Sequence, residues 1–167
     1  MALYALTVTI ANVSLPQMQG ALSATQDQIA LVVTFNIVAT AVATPMTGWL
    51  VARFGQRRLL LFSVAAFTMS TLACGLAGSL ETLVFFRVLQ GLSGAPLAPT
   101  SQAIVLASYP QSKHGTATAI FGMGVVIGPL IAPTIGGYLS EEYSWRWVFF
   151  MIVPFGIASL LGCFAFV

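Results

Sequence analysis

Arg87 is the one ionisable side chain set well inside an uncharged apolar stretch of this sequence. A guanidinium in hydrocarbon costs several kcal/mol, about 2.5–3.5 on insertion scales, so it normally faces a protein interior or a water-filled path. Gln90 follows three positions later on the same helical face, and Gly91 and Gly94 allow a neighbouring helix to come close. The competing reading is an arginine that snorkels to the interface from a point about two turns beyond Glu81. The polar and small neighbours favour a lined cavity. Gly91-Leu92-Ser93-Gly94 also has the Gly-x-Ser-Gly form of a nucleophilic serine, but that chemistry needs a base beside the hydroxyl. The only histidine, His114, falls beside Lys113 in a turn, so an intramembrane serine protease is not supported. No Asp, Glu or His lies at mid-membrane depth, and Arg87 does not release its proton at ordinary pH. Cys74 and Cys163 stand far apart in apolar runs and read as small buried hydrophobes. With no metal cluster, nucleotide loop or dinucleotide motif, no metal and no cofactor is expected.

Two further patterns concern how helices meet. Gly124, Gly128, Ala132 and Gly136 recur every four residues, which stacks them on one helical face suited to backbone-to-backbone packing. Pro129 and Pro133 lie in the same stretch and invite a bend. The segment from Gly48 to Leu60 carries Arg53, Gly55, Arg57 and Arg58, with Gly55 placed to make a tight turn between antiparallel helices.

The elements that must position these residues follow from composition. Of 167 residues 58% are hydrophobic and only 6% charged, with a mean hydropathy of +0.95. A soluble domain carries about a quarter charged residues, so a soluble globule is excluded and the bilayer is the expected surroundings. The net charge of +2 is too small and scattered for a nucleic-acid partner. Charges divide the chain into stretches that predict helices at roughly 1–16, 28–52, 59–79, 82–108, 115–139 and 147–167. The fold class expected is an all-α membrane protein of six transmembrane helices. The first run is short of a full span and meets Pro16 as its stop, and the last ends without a polar flank, so both ends read as cut. Arg53, Arg57, Arg58 and Lys113 fall in one set of loops, and Asp27, Glu81, Glu141 and Glu142 in the other. Positive charge marks the cytoplasmic side, which puts the amino terminus there. Gly48-Trp49-Leu50, Phe54 and Arg57 recur as Gly137-Tyr138-Leu139, Tyr143 and Arg146, 89 positions later (48 to 137, 57 to 146). One copy lies on each side, as in two inverted three-helix repeats.

At these motifs the chain resembles the major facilitator superfamily, and within it the fourteen-helix drug:proton antiporter branch. Thr9-Ile10-Ala11-Asn12-Val13-Ser14-Leu15-Pro16 is similar to the branch's first-helix signature. Gly48, Leu50, Arg53, Gly55, Arg57 and Leu60 match the superfamily's cytoplasmic loop motif, and Leu83, Arg87, Gln90, Gly91 and Gly94 its fourth-helix motif. Gly124, Gly128, Pro129, Pro133, Gly136 and Gly137 resemble the antiporters' fifth-helix motif. Trp145-Arg146-Trp147, with Phe149, Pro154 and Gly156, resembles the start of the sixth helix. The resemblance implies the amino-terminal bundle of a bacterial inner-membrane exporter, not an enzyme, that exchanges small amphipathic compounds for protons. Arg87 and Gln90 would then serve coupling, with Thr7 and Asn12 on the transport path. The loop around Gly48, Arg53, Gly55 and Arg57 would gate, and the helix-five residues would shape the bundle interface. Partners implied are the lipid bilayer, a small-molecule substrate and a second transporter half or a second copy.

The sequence departs from the family where acids are expected, with Thr7 in the first helix and Ala52 in the loop, and Ile152 replaces a usual polar residue. Either coupling depends on a missing half, or this is a non-transporting six-helix protein or degenerate half-transporter acting through a partner.

Overall fold

The computed structural model describes residues 2–166, and it is helical throughout, with no strand among the described residues. The elements are α1 (Ala2–Val13), α2 (Leu15–Ala21), α3 (Gln26–Ala43), α4 (Thr47–Phe54), α5 (Gln56–Leu76), α6 (Leu80–Gly94), α7 (Leu97–Ser108), α8 (His114–Glu142) and α9 (Trp145–Phe166). Short 3₁₀ turns at Thr44–Met46 and Gln111–Lys113 precede α4 and α8. Among the described residues four helical stretches are long and apolar enough to cross a membrane: Gln26–Phe54, Gln56–Leu76, Gln111–Glu142 and Trp145–Ala165. Large apolar side chains face outward along them, among them Val42, Phe62, Leu130 and Leu161. Such surface is stable against hydrocarbon, and the chain is a multi-pass membrane protein.

The boundaries depart from the sequence-based ones in ways that local chemistry explains. Pro16 does not stop the first helix. It occupies the first turn of α2, where a missing N–H costs nothing, and Ser14 N–H still donates to the Ile10 carbonyl at 3.2 Å. The next helix begins at Gln26 because Thr25 forms a capping box: Gln28 N–H donates to its hydroxyl at 3.3 Å, and Thr25 N–H donates back to Gln28 Oε1 at 3.0 Å. Asp27, in its first turn, suits the positive end of the helix dipole. Pro45 removes one bond of the ladder and leaves the 3₁₀ turn before α4. The stretch expected at 82–108 is two helices, since Pro96 has no N–H to continue α6. By contrast α8 runs unbroken through Pro129 and Pro133 and ends at Glu142, taking in both acids of its last turn. Residues 1 and 167, the outer limits expected for the first and last helices, lie outside the described residues.

Three helix pairs make the main contacts: α1 with α8, α3 with α6, and α5 with α9. Exchanging the first half of the chain for the second maps α1–α8 onto α6–α3 and α5–α9 onto itself, the pairing a two-fold repeat demands. In each pair a glycine lies where an added Cβ would clash with the partner helix. A Cβ on Gly136 would strike Ile10 of α1, one on Gly91 the Asn36 carbonyl of α3, and one on Gly75 the Phe150 ring of α9. Small residues are what bring helices together in lipid, where burial of apolar surface gives no net drive. Gly124 and Gly137, although in the predicted packing motif, face open space. Gly91→Ala is therefore expected to lower unfolding stability in detergent by ~1–3 kcal/mol through overpacking. Gly124→Ala should be neutral or slightly stabilising through helix propensity. Denaturation midpoints that moved equally for both would refute this account of the packing.

Candidate functional site: a buried arginine network

α6 starts where Ser79 caps it, its hydroxyl accepting from Thr82 N–H at 3.2 Å. From that start Leu83, Arg87, Gln90, Gly91 and Gly94 share one buried face. Arg87 is 1% exposed, so it does not snorkel. Nor does it line a surface groove; its guanidinium is enclosed by packed side chains, 5.6 Å from the centre of the Phe149 ring on α9. Nη1 donates to Gln90 Oε1 at 2.6 Å, Gln90 Nε2 donates to Thr71 Oγ1 at 2.7 Å, and Thr71 donates to the Phe67 carbonyl at 2.7 Å. The chain of bonds runs from α6 into α5 and ends on backbone. Nε of Arg87 has no partner, and no acidic side chain pairs with the guanidinium among the described residues.

A second chain of bonds fixes the backbone of the same helix. Asn36 Nδ2 donates to the Arg87 carbonyl at 2.8 Å. Thr40 Oγ1 lies 2.9 Å from the Asn36 carbonyl and 3.2 Å from the Gly91 carbonyl, and receives the Tyr4 hydroxyl at 3.2 Å. The absent side chain of Gly91 is what lets α3 come near enough for these bonds. Tyr4 also lies where a Cβ on Gly94 would stand, so α1 closes the cluster. The arrangement holds one fixed positive charge in a low-dielectric interior, on a helix bonded to α3 through its backbone and to α5 through Gln90. It cannot itself carry a proton, but it would set the ionisation of any acid brought beside it.

Sequence reasoning found Arg87, Gln90, Gly91 and Gly94, which the structure brings together. It missed Asn36, Thr40, Thr71 and Tyr4, and it named Phe149 only as part of the sixth-helix motif. Asn36 was findable, because an amide inside an apolar span needs a buried partner. Thr7 is buried, yet its hydroxyl is spent on the Leu3 carbonyl of its own helix at 2.7 Å, and Asn12 is exposed; neither bonds to the arginine network.

In the loop motif, Gly55 takes φ +82°, which favours glycine. Arg53 lies over the Trp49 and Phe54 rings at 5.4 and 5.9 Å. Arg57 Nη2 donates to the Phe164 carbonyl at 3.2 Å, a cation meeting the negative end of α9. Gly48 is exposed with open space around it. In the helix-five motif Gly128, Ala132 and Gly136 are buried, Pro129 is half-buried and Pro133 exposed. Ser93 donates to the Leu89 carbonyl at 2.8 Å and His114 Nε2 lies 2.9 Å from the Tyr109 carbonyl, so the Gly-x-Ser-Gly sequence is a stretch of helix with no paired base. Among the described residues no group of three or more His, Cys, Asp or Glu is placed to hold a metal ion.

If the Arg87–Gln90–Thr71 chain satisfies the buried charge, Gln90→Leu should destabilise the bundle by about 1–3 kcal/mol, because it strands a charged donor. Thr71→Val, which leaves Gln90 bonded to Arg87, should cost less. Thermal unfolding in detergent orders the two variants, and the reverse order would contradict the scheme.

Comparison with known proteins places this geometry. The family model described as Major Facilitator Superfamily matches residues 1–167. The chain is 44% identical over 153 residues to the "Multidrug export protein EmrB" of Escherichia coli (strain K12), covering 92% of this chain and 30% of that protein. It is 42% identical over 154 residues to the "Fatty acid resistance protein FarB" of Neisseria gonorrhoeae, with the same coverage, and 35% identical over 159 residues to the "Putative multidrug resistance protein MdtD" of Salmonella typhi, covering 95% of this chain and 34% of that one. The chain thus spans about a third of the length of the curated relatives it matches. Among solved structures, a peptide transporter POT in complex with alafosfalin superposes with a TM-score of 0.87 at 17% identity, over 98% of this chain and 36% of that one. A D-xylose-proton symporter superposes with a TM-score of 0.84 at 13% identity, over 98% of this chain and 45% of the symporter. The chain belongs to the major facilitator superfamily.

Proposed function

We propose that this chain is the amino-terminal, six-span bundle of a proton-coupled exporter of small amphipathic compounds. It would sit in the bacterial inner membrane with its amino terminus in the cytoplasm. The observation that carries the reading is the 44% identity, over 92% of the chain, to a protein named for multidrug export. The orientation rests on Arg53 in the last turn of α4, Arg57 and Arg58 in the first turn of α5, and Lys113 in the 3₁₀ turn before α8, connections that alternation along the chain puts on one side. In this reading Arg87 is the fixed charge of the coupling site. An acid from another part of the transporter would lose its proton when brought beside the guanidinium and regain it when moved away. The loop held by Arg53 and Arg57 would join the cytoplasmic gate, and Asn12 would face the substrate path. In such folds the substrate sits at the midplane between two halves, so this bundle needs a second half or a second copy opposite it. Thr7 and Ala52, standing where family acids are expected, favour a second reading, a half that acts only through a partner.

In the full-length parent, Arg87→Ala should abolish proton-driven efflux of a fluorescent cationic dye while the protein still inserts, and Arg87→Lys should keep a measurable part of it. Undiminished efflux by the alanine variant at matched membrane levels would remove Arg87 from coupling. The 167-residue chain alone, reconstituted in liposomes as a demonstrated monomer, should not move the dye along an imposed proton gradient. Vectorial uptake by that monomer would show that no second half is needed.

A further inference from the structure

We propose that the groove between α4, α5 and the α6–α7 joint is a binding site for an anionic phospholipid, with Arg58 as the cation that holds the phosphate. The groove encloses about 420 Å³. Its walls are Leu50 and Phe54 of α4, Phe62 of α5, and Leu92 and Pro96 at the joint; apart from Arg58, only Ser63 and Ser93 bring polar side chains to it. Phe54 and Phe62 stay 52% and 72% exposed beside it, so nothing in the described residues covers them. A groove with a hydrocarbon wall and a cation at one end is complementary to an amphiphile whose head is negative.

Charge decides which amphiphile. Arg53, Arg57 and Arg58 crowd the α4–α5 turn, and no acid stands in either helix. Arg53 is stacked on aromatic rings and Arg57 is bonded to the end of α9, whereas Arg58 has no hydrogen-bond or ion-pair partner among the described residues. Arg58 is exposed, and of the three it alone borders the groove. A guanidinium fork fits a phosphate by paired hydrogen bonds. Basic pockets between membrane helices are suited to anionic headgroups. A zwitterionic lipid would bring an ammonium group, for which the described residues of α4, α5 and the groove wall offer no Asp or Glu. One acyl chain would lie along Phe62 and Leu92, and the second would remain in the bilayer. The proposal needs only the membrane setting, so it stands or falls separately from transport.

The delipidated full chain in neutral detergent can be titrated with phosphatidylglycerol, phosphatidylcholine and oleate, with bound lipid counted per chain by native mass spectrometry. One phosphatidylglycerol should bind, about tenfold more tightly than phosphatidylcholine and more weakly as salt rises. Arg58→Gln should lose about that factor, and Arg58→Lys, which keeps the charge but not the paired hydrogen bonds, should keep only part of it. Leu92→Trp fills the groove from a half-exposed position with Arg58 intact, and it too should lose the lipid. Circular dichroism should show unchanged helix content in all three variants. Equal binding of the two phospholipids, or phosphatidylglycerol binding that survives Arg58→Gln or Leu92→Trp, would overturn the site. Oleate displacing phosphatidylglycerol at equal concentration would overturn it in favour of a free fatty acid.

Discussion

A charged guanidinium enclosed away from water constrains everything packed around it. Arg87 cannot neutralise itself by losing a proton, and no carboxylate meets it among the described residues, so its charge must be solvated by dipoles and a ring face. Gln90 supplies the nearest dipole and Phe149 the ring. Gln90 is in turn held by Thr71, whose hydroxyl finishes on a helix carbonyl. Every step of that chain requires α5, α6 and α9 to stand at fixed distances, and those distances are set by residues with almost no side chain.

Glycine does that work in each main helix pair. Lipid offers no hydrophobic reward for bringing helices together, so dispersion contacts and interhelical hydrogen bonds must supply the attraction. Gly91 brings α3 close enough for Asn36 and Thr40 to reach the carbonyls of Arg87 and Gly91. Packing and polar satisfaction are therefore one arrangement: widen the α3–α6 gap by a methyl group and the bonds that orient the arginine helix are lost as well. Gly136 against Ile10 and Gly75 against Phe150 fix the other two pairs in the same way. The turn at Gly55 adds a tether at the basic end, where Arg57 reaches the Phe164 carbonyl in the last turn of α9.

Much of this was legible in the sequence. Depletion of charge and the punctuation of apolar runs determined an all-helical membrane protein, because a backbone in hydrocarbon must satisfy its hydrogen bonds within each segment. Arg87 with Gln90, Gly91 and Gly94 on one face could be read from spacing alone, since helical period fixes which residues are neighbours. Family membership was readable from five motifs in order. Helix ends were less legible: a charge suggests a boundary, but Asp27 and Glu142 sit inside terminal turns, and a proline suggests a stop where its missing N–H was never needed.

Tertiary structure alone decided which helix meets which, and hence what the motif residues touch. Nothing in the spacing of Gly124, Gly128, Ala132 and Gly136 says that only part of the stripe packs on α1, because that depends on where α1 ends its contact with α8. Nothing local to Asn36, Thr40 or Thr71 says that they serve an arginine as many as 51 residues away. Sequence period places residues on faces, but only the crossing of helices turns a face into a site, and it was the crossing that enclosed Arg87 rather than leaving it at the interface.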